Sequence, residues 1–444
     1  MAHTRGAPVG PARRDVLRLG ASAAVAAGLT ATVSGCSAAM DDGVGPDGRV
    51  TIELWHGQVD SSKVAVEAMV REFNRTHPKI RVDAGGGGAV ADDMLQKVTA
   101  ALAAGAYPDV AYIYGSDLPN IARSPQVVDL TSWTGHGATP WQQYWPAARE
   151  AVTVNKHVRA LPALIDSLAV VYNKKLFRQA GVPYPKAGWT WDEFVETARR
   201  LTDPGHGVFG TGWPGAGDED TTWRLWPMIW DLGGEIVGPD GRSIGFADQG
   251  VRALQTLADL TRDHCVYIDS KPGGELMYQV FTGGRLAMVA TGPWKLPDII
   301  DAKVDYGVVP LPTYSGRPLT ISGPDTWTIF DNGPARSRAA KEFVSWLIQP
   351  DQDVRLDLTA GTLPLSRISA ARPAWLREVE RTTGLEVFTK ALDTARVRPV
   401  IPAYPQISQA LGQAIISVLI GSRTPAQAIR ACASTANAAL RIPR

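Results

Sequence analysis

The sequence predicts an α/β protein of two lobes, each a sheet flanked by helices. Three observations carry that expectation. Strand-like alternation gives way repeatedly to helical spacing along the chain, which is the pattern of helix-covered parallel sheets. The first 35 residues have the layout of an export signal, and the roughly 409 residues after them exceed what one hydrophobic core supports.

The signal comes first. Arg13-Arg14-Asp15-Val16-Leu17 leads into Gly20 to Val33, 14 uncharged residues rich in Ala, Gly and Thr. That run falls short of the roughly 20 apolar residues a membrane-spanning helix needs, and its flanks are those of a twin-arginine export signal. It ends at Val33-Ser34-Gly35-Cys36, which is similar to a lipobox, where cleavage precedes a cysteine carrying lipid. Residues 1–35 are therefore read as the signal peptide and residues 36–48 as a lipidated tether. Acyl chains on Cys36 contribute about 0.8 kcal/mol per buried CH₂, enough when paired to hold the protein to the outer face of the cell membrane. Met40 to Gly48 is polar and turn-forming, as a tether should be.

Composition fits an exported, soluble body: hydrophobic residues are 45% and charged residues 20% of the chain. Residues 1–35 hold four Arg and one Asp, so the net charge of +1 becomes about −2 without them, and nothing suggests nucleic acid. Cys265 and Cys432 are the remaining cysteines. Their spacing gives no disulfide framework; two separate buried thiols or one bridge both fit.

Folded structure is expected from Arg49. Val50-Thr-Ile-Glu-Leu-Trp55 alternates as a strand, Ser61 to Arg75 places Val64, Ala65, Ala68, Met69 and Phe73 at helical spacing, and Lys79 to Asp83 alternates again. Asp92 and Asp93 open a second helix whose apolar face is Leu95, Val98, Ala101 and Leu102, with Gly105 at its end and a buried strand over Asp109 to Tyr114. Thr190-Trp-Asp-Glu193 fits a capping box for a helix through Leu201, and Ala339 to Leu347 repeats at helical spacing. Ligands of open α/β sheets sit beyond the carboxyl ends of strands, so the segments just after strands are the candidate site.

Catalytic signatures are missing: no nucleophile elbow, no His-Glu-x-x-His, no Walker loop. Seven scattered His residues give no support to a metal site, and no cofactor is implied. Gly85 to Gly88 reads as a flexible loop. What stands out is 14 tryptophans, several beside Gly, Pro or carboxylates. An indole face packs on the C–H face of a sugar while carboxylate, amide and Arg groups bond its hydroxyls. Trp189, Trp191 and Trp346 lie in or beside amphipathic helices and read as core, as do Trp133, Trp141 and Trp145.

Thr291-Gly-Pro-Trp294 followed by Lys303-Val-Asp-Tyr-Gly-Val-Val-Pro-Leu-Pro312 resembles the family 1 extracellular solute-binding proteins of ABC importers, maltose-binding-protein-like sugar receptors. Ala160 to Lys174, Tyr107 to Tyr114, Phe281 to Met288 and Ala340 to Trp346 match in the same order. The resemblance implies a type II periplasmic-binding-protein-like fold with the ligand cleft between lobes. Residues 49–163 and 327–374 would form the N-terminal lobe, and residues 164–326 and 375–444 the C-terminal lobe. Crossings would fall near 164–166, 322–327 and 372–378. Closure on a carbohydrate-like solute, by a monomer that delivers it to an ABC permease, would be the activity. A lipid-anchored glycoside hydrolase and a glycerophosphodiester receptor are the alternatives.

By position, the resemblance makes Trp294 a sugar-stacking residue and Asp166 an acceptor of hydroxyl hydrogen bonds or a carboxylate that structures the hinge. Trp223 falls where the family has a stacking aromatic, while Trp226 fits core or cleft equally. Glu219 offers a further acceptor. His56, Gln58, Tyr114 and Asp117 follow first-lobe strands at cleft positions, Asp117 one residue out of register. Asp109 reads as structural. Gly323 and Trp327 lie at a crossing where close ligand approach favours Gly. Arg396 matches a ligand-contacting Arg or a helix-surface one. Leu411 stands where the family has another aromatic, so one stacking platform of a malto-oligosaccharide site is absent.

Overall fold

The computed structural model describes residues 43–85, 93–135 and 139–442. The export signal, Cys36, Gly86 to Gly88 and Asp92 lie outside the described residues.

Val50–Trp55 alternates as expected, with Ile52 and Leu54 fully buried. It pairs in parallel with Ile80–Gly85, Ile52 opposite Val82, and the helix Asp60–Thr76 joins the two. On its other side lies Val110–Tyr114, also parallel. Asp325–Ile329 then adds antiparallel, and Leu161–Pro162 closes the five-stranded sheet. The second helix runs over Met94–Ala104 and stops at Gly105, whose φ of 68° is the left-handed turn that glycine adopts without strain. Asp109, fully buried, accepts bonds from Glu53 N at 2.8 Å and Asn332 Nδ2 at 3.1 Å and pairs with Arg336. It is the structural residue its context predicts.

A second five-stranded sheet has the order Val266–Asp269, Phe209–Pro214, Leu286–Thr291, Ala169–Asn173, Tyr306–Val309. The first three strands are parallel and the last two antiparallel to their neighbours. The helix Trp191–Leu201 packs on it, opened by Thr190 and Glu193 in a complete capping box. Helices Tyr404–Leu419 and Pro425–Leu440 pack on each other and on Ala247–Arg262. Among these core residues are Trp189, Trp191 and the buried thiols of Cys265 and Cys432, which form no disulfide; Cys265 Sγ donates to Asp263 O at 3.2 Å. Trp145 and Trp346 are buried in the other core, with Trp133 and Trp141 half-buried against it. The fold is thus two lobes, each a sheet flanked by helices. No helix among the described residues is long and apolar enough to cross a membrane.

Two chain segments pass between the sheets side by side. Ala163 N donates to Asp325 O at 2.7 Å and Asp325 N donates to Leu164 O at 2.9 Å. The third segment beside them is at Arg396, where Arg396 N reaches Thr320 O at 3.1 Å and Ser322 N reaches Arg396 O at 2.8 Å. Residues 372–378 lie largely in the helix Pro373–Arg381, which packs on Pro350–Ala360.

Candidate ligand-binding cleft

A cavity of about 330 Å³ opens where the ends of both sheets meet the two crossings. The second lobe supplies its aromatic wall. Strand Phe209–Pro214 leads to Asp218, whose carboxylate accepts from Thr221 N at 3.1 Å and so caps the short helix Glu219–Trp223. That turn presents Glu219 and Trp223. Strand Leu286–Thr291 runs into Gly292-Pro293-Trp294, and a Cβ on Gly292 would fall 1.7 Å from Trp294 Cζ3. Only glycine lets the indole fold back over the chain here. The Trp223 and Trp294 rings lie 5.6 Å apart at 42°, an aromatic corner along the cavity.

Arg224 holds this wall from behind. Its buried guanidinium donates to Ala290 O at 2.9 Å, Asp220 Oδ1 at 2.6 Å and Tyr278 Oη at 2.8 Å, tying the Glu219–Trp223 turn to the strand that carries Trp294. Opposite charge and hydrogen bonding outweigh the burial that disfavours its cation, so its pKa is raised.

Carboxylates dominate the polar lining. Glu219 accepts from Arg398 at 2.9 Å and Tyr404 Oη at 2.7 Å, and from Ser408 Oγ. Lys295 bonds Glu275 at 2.9 Å. On the crossings, Asp166 Oδ1 accepts from Gly323 N at 2.8 Å and Asp325 accepts from the Tyr112 hydroxyl. Burial pushes the Asp166 carboxyl up to about 7, against the pull of Gly323 N–H and Arg398. Asp325 is raised well above the usual carboxylate range by burial and by the charge of Asp166.

Seven of the residues singled out from sequence line this cavity: Trp294, Asp166, Trp223, Gln58, Tyr114, Glu219 and Gly323. At Gly323 the space a Cβ needs is taken by Trp223 at 3.1 Å and Arg398 at 3.2 Å, so the close approach there is made by protein side chains. Four others do not line it. His56 is 3% exposed, its Nδ1 accepts from Gln58 N at 3.1 Å, and burial lowers its pKa. Trp327 is 1% exposed because it faces the interior of its strand, its ring edge-on to Tyr112 at 5.5 Å. Arg396 turns outward to Glu235 at 2.7 Å and over the Trp230 ring at 4.8 Å. Asp117, at the start of the turn Leu118–Ile121, lies outside the lining and acts on Asp325 only through its charge.

Sequence reasoning missed Tyr112, Lys295, Asp325 and Arg398, all of which line the cavity. Lys295 adjoins Trp294 and Arg398 shares the Arg-Val-Arg run with Arg396, so those two were within reach; nothing local marks Tyr112 or Asp325. Trp226 is core, fully buried and donating to Tyr404 Oη at 3.0 Å, and Leu411 is buried in the same core.

Two lobes joined by paired crossings, with an aromatic and carboxylate-lined cleft at the joint, define a binding protein for a small solute. The chain belongs to the bacterial extracellular solute-binding proteins, whose family model matches residues 58–354. It is accordingly an extracytoplasmic solute-binding protein of an ABC importer and not an enzyme. A lipoprotein of Streptomyces antibioticus encoded in the oleD 5′ region is 27% identical over 366 residues, 78% of this chain and 76% of that protein. The cyclic alpha-maltosyl-1,6-maltose binding protein of Arthrobacter globiformis superposes with a TM-score of 0.76 at 26% identity, covering 89% of this chain and all of the other. A solute-binding protein from Thermotoga lettingae bound to alpha-D-tagatose gives 0.77 at 26% identity, over 88% of this chain and 99% of that one.

Proposed function

We propose that this receptor captures a carbohydrate or carbohydrate-like solute between its lobes and delivers it to a membrane permease. The observation that carries the reading is that the Trp223–Trp294 corner and the carboxylates of Asp166 and Asp325 line one cavity. An apolar stacking face opposite ionisable acceptors is what a polyhydroxylated ring requires, and charged acceptors make bonds of about 1.5 to 3 kcal/mol each. Sugar ligands of two structural neighbours point the same way. The absent aromatic at Leu411 favours a ligand smaller than a maltodextrin, and the acidic lining opposes a glycerophosphodiester.

The lobes are read as residues 49–163 with 327–374 and residues 164–326 with 375–444, the 374/375 boundary falling inside helix Pro373–Arg381. Ligand that prefers the closed arrangement shifts the lobes toward it. We read the receptor as a monomer, exported by the twin-arginine signal and lipid-anchored through Cys36. Metabolic labelling with a fatty acid should mark the wild type and not Cys36→Ser.

The ligand test is a thermal-shift screen of the full chain in detergent against mono-, di- and oligosaccharides, polyols and glycerophosphodiesters. A saturable rise with a sugar, lost in Trp294→Ala, is expected, since native-state binding stabilises by mass action. No rise with any carbohydrate would reject this ligand class.

A further inference from the structure

We propose that the cleft selects a polyhydroxylated ligand that carries a basic nitrogen, an amino sugar or amino-cyclitol, with the protonated nitrogen held by Asp166 and Asp325. This rests on the carbohydrate reading and narrows it.

Six carboxylates line the cavity, from Asp166, Glu219, Asp220, Glu275, Asp298 and Asp325, against the two cations of Lys295 and Arg398. Four of the six already have a cation. Glu219 pairs with Arg398 at 2.9 Å, Glu275 and Asp298 with Lys295 at 2.9 and 3.6 Å, and Asp220 with Arg224 at 2.6 Å. Asp166 and Asp325 are left. Among the described residues neither has a Lys or Arg at ion-pair distance, and Arg398, the nearest whose charge they feel, is committed to Glu219.

The two carboxylates sit together because the crossings that carry them are bonded to each other, Asp325 N to Leu164 O and Gly323 N to Asp166 Oδ1. Each receives one protein hydrogen bond, and a carboxylate can accept about four. Burial raises both carboxyls above the ordinary range, and at Asp325 the neighbouring charge of Asp166 adds to it, so two like charges held here repel. A hydroxyl can fill their lone pairs but leaves the repulsion in place. An ammonium fills them, cancels charge and forms charge-assisted bonds roughly twice as strong as neutral ones.

A second, independent group points at a ligand. Trp223 lines the cavity at 6% exposure, and its buried Nε1 has no hydrogen-bond partner. A buried N–H left unsatisfied is costly, and this one belongs to a residue of the cleft wall, where a ligand oxygen could satisfy it. Ammonium toward the crossings and hydroxyl toward Trp223 together describe one amino-polyol. An anionic phosphodiester would instead meet the unpaired carboxylates.

Isothermal titration of the full chain in detergent with matched pairs tests this: glucose with glucosamine, cellobiose with the β-1,4 glucosamine disaccharide, and maltotetraose with acarbose. In the pair that binds, the amine-bearing member should be tighter on the order of tenfold, the scale of one charge-assisted bond. Asp166→Asn and Asp325→Asn keep an acceptor for Gly323 N–H and the Tyr112 hydroxyl, and each should weaken the amine more than its neutral partner and so lower that ratio toward one. A neutral member that binds as tightly as its amine leaves the carbohydrate reading standing and overturns this one. A preference that survives both Asn variants overturns the assignment to these two residues. If no member of any pair binds and no other carbohydrate does, the carbohydrate reading itself falls.

Discussion

Asp166 shows how one side chain can be assigned by type from sequence and by chemistry only from structure. Its carboxyl is raised to about 7 in the fold, first by burial, whereas an unfolded Asp titrates near 4. A raised acid stabilises the native state below the unfolded pKa and loses that contribution as pH rises through the folded one. Stability should therefore fall between about pH 4 and pH 7, and Asp166→Asn should fall less steeply. Asp353 is likewise raised to about 7 by burial, so the readout is the difference between variant and wild type in urea unfolding across that window. Parallel slopes would show that Asp166 is not raised. Trp294 is the converse case. Its motif announced it, because Gly292 and Pro293 are local requirements of the ring's position. Arg398 could not be told from Arg396 in the same way, since which of two nearby arginines enters the cleft depends on Glu219 and Glu235, more than 150 residues away.

Elements built from local signals were legible, and Thr190 is the clearest. Its hydroxyl accepts from Glu193 N at 3.1 Å while Glu193 returns a bond to Thr190 N at 2.7 Å. Thr190→Ala should cost about 1 kcal/mol, read as a lower urea midpoint with an unchanged slope. The first β-α-β unit was equally readable, because alternation and helical spacing are consequences of burying one face. Asp325–Ile329 was not read as a strand. Its residues Asp-Thr-Trp-Thr-Ile alternate Thr with Trp and Ile, but over only five positions directly after Gly323-Pro324, too short a run to stand apart from that turn.

At the scale of the whole molecule, the proposed capture is lobe movement about the bonded crossings. On that proposal, a ligand that bridges Trp223 and Trp294 to Asp166 and Asp325 shifts the lobes by the difference between its affinities for the two arrangements. Small-angle X-ray scattering should show the radius of gyration fall on adding the ligand found by thermal shift. An unchanged radius with saturated ligand would mean that the cleft is already closed.

Sequence by itself determined the α/β class, the first elements, the Thr190 capping box and the family, because each is written in short-range spacing or in ordered motifs. Tertiary structure alone decided which arginine enters the cleft, that Tyr112 and Asp325 join it, that His56 and Trp327 are core, and that Asp166 and Asp325 share a floor without a cation. Those facts depend on residues distant in the chain meeting at a low-dielectric site, and neither distance nor dielectric is a property of local sequence.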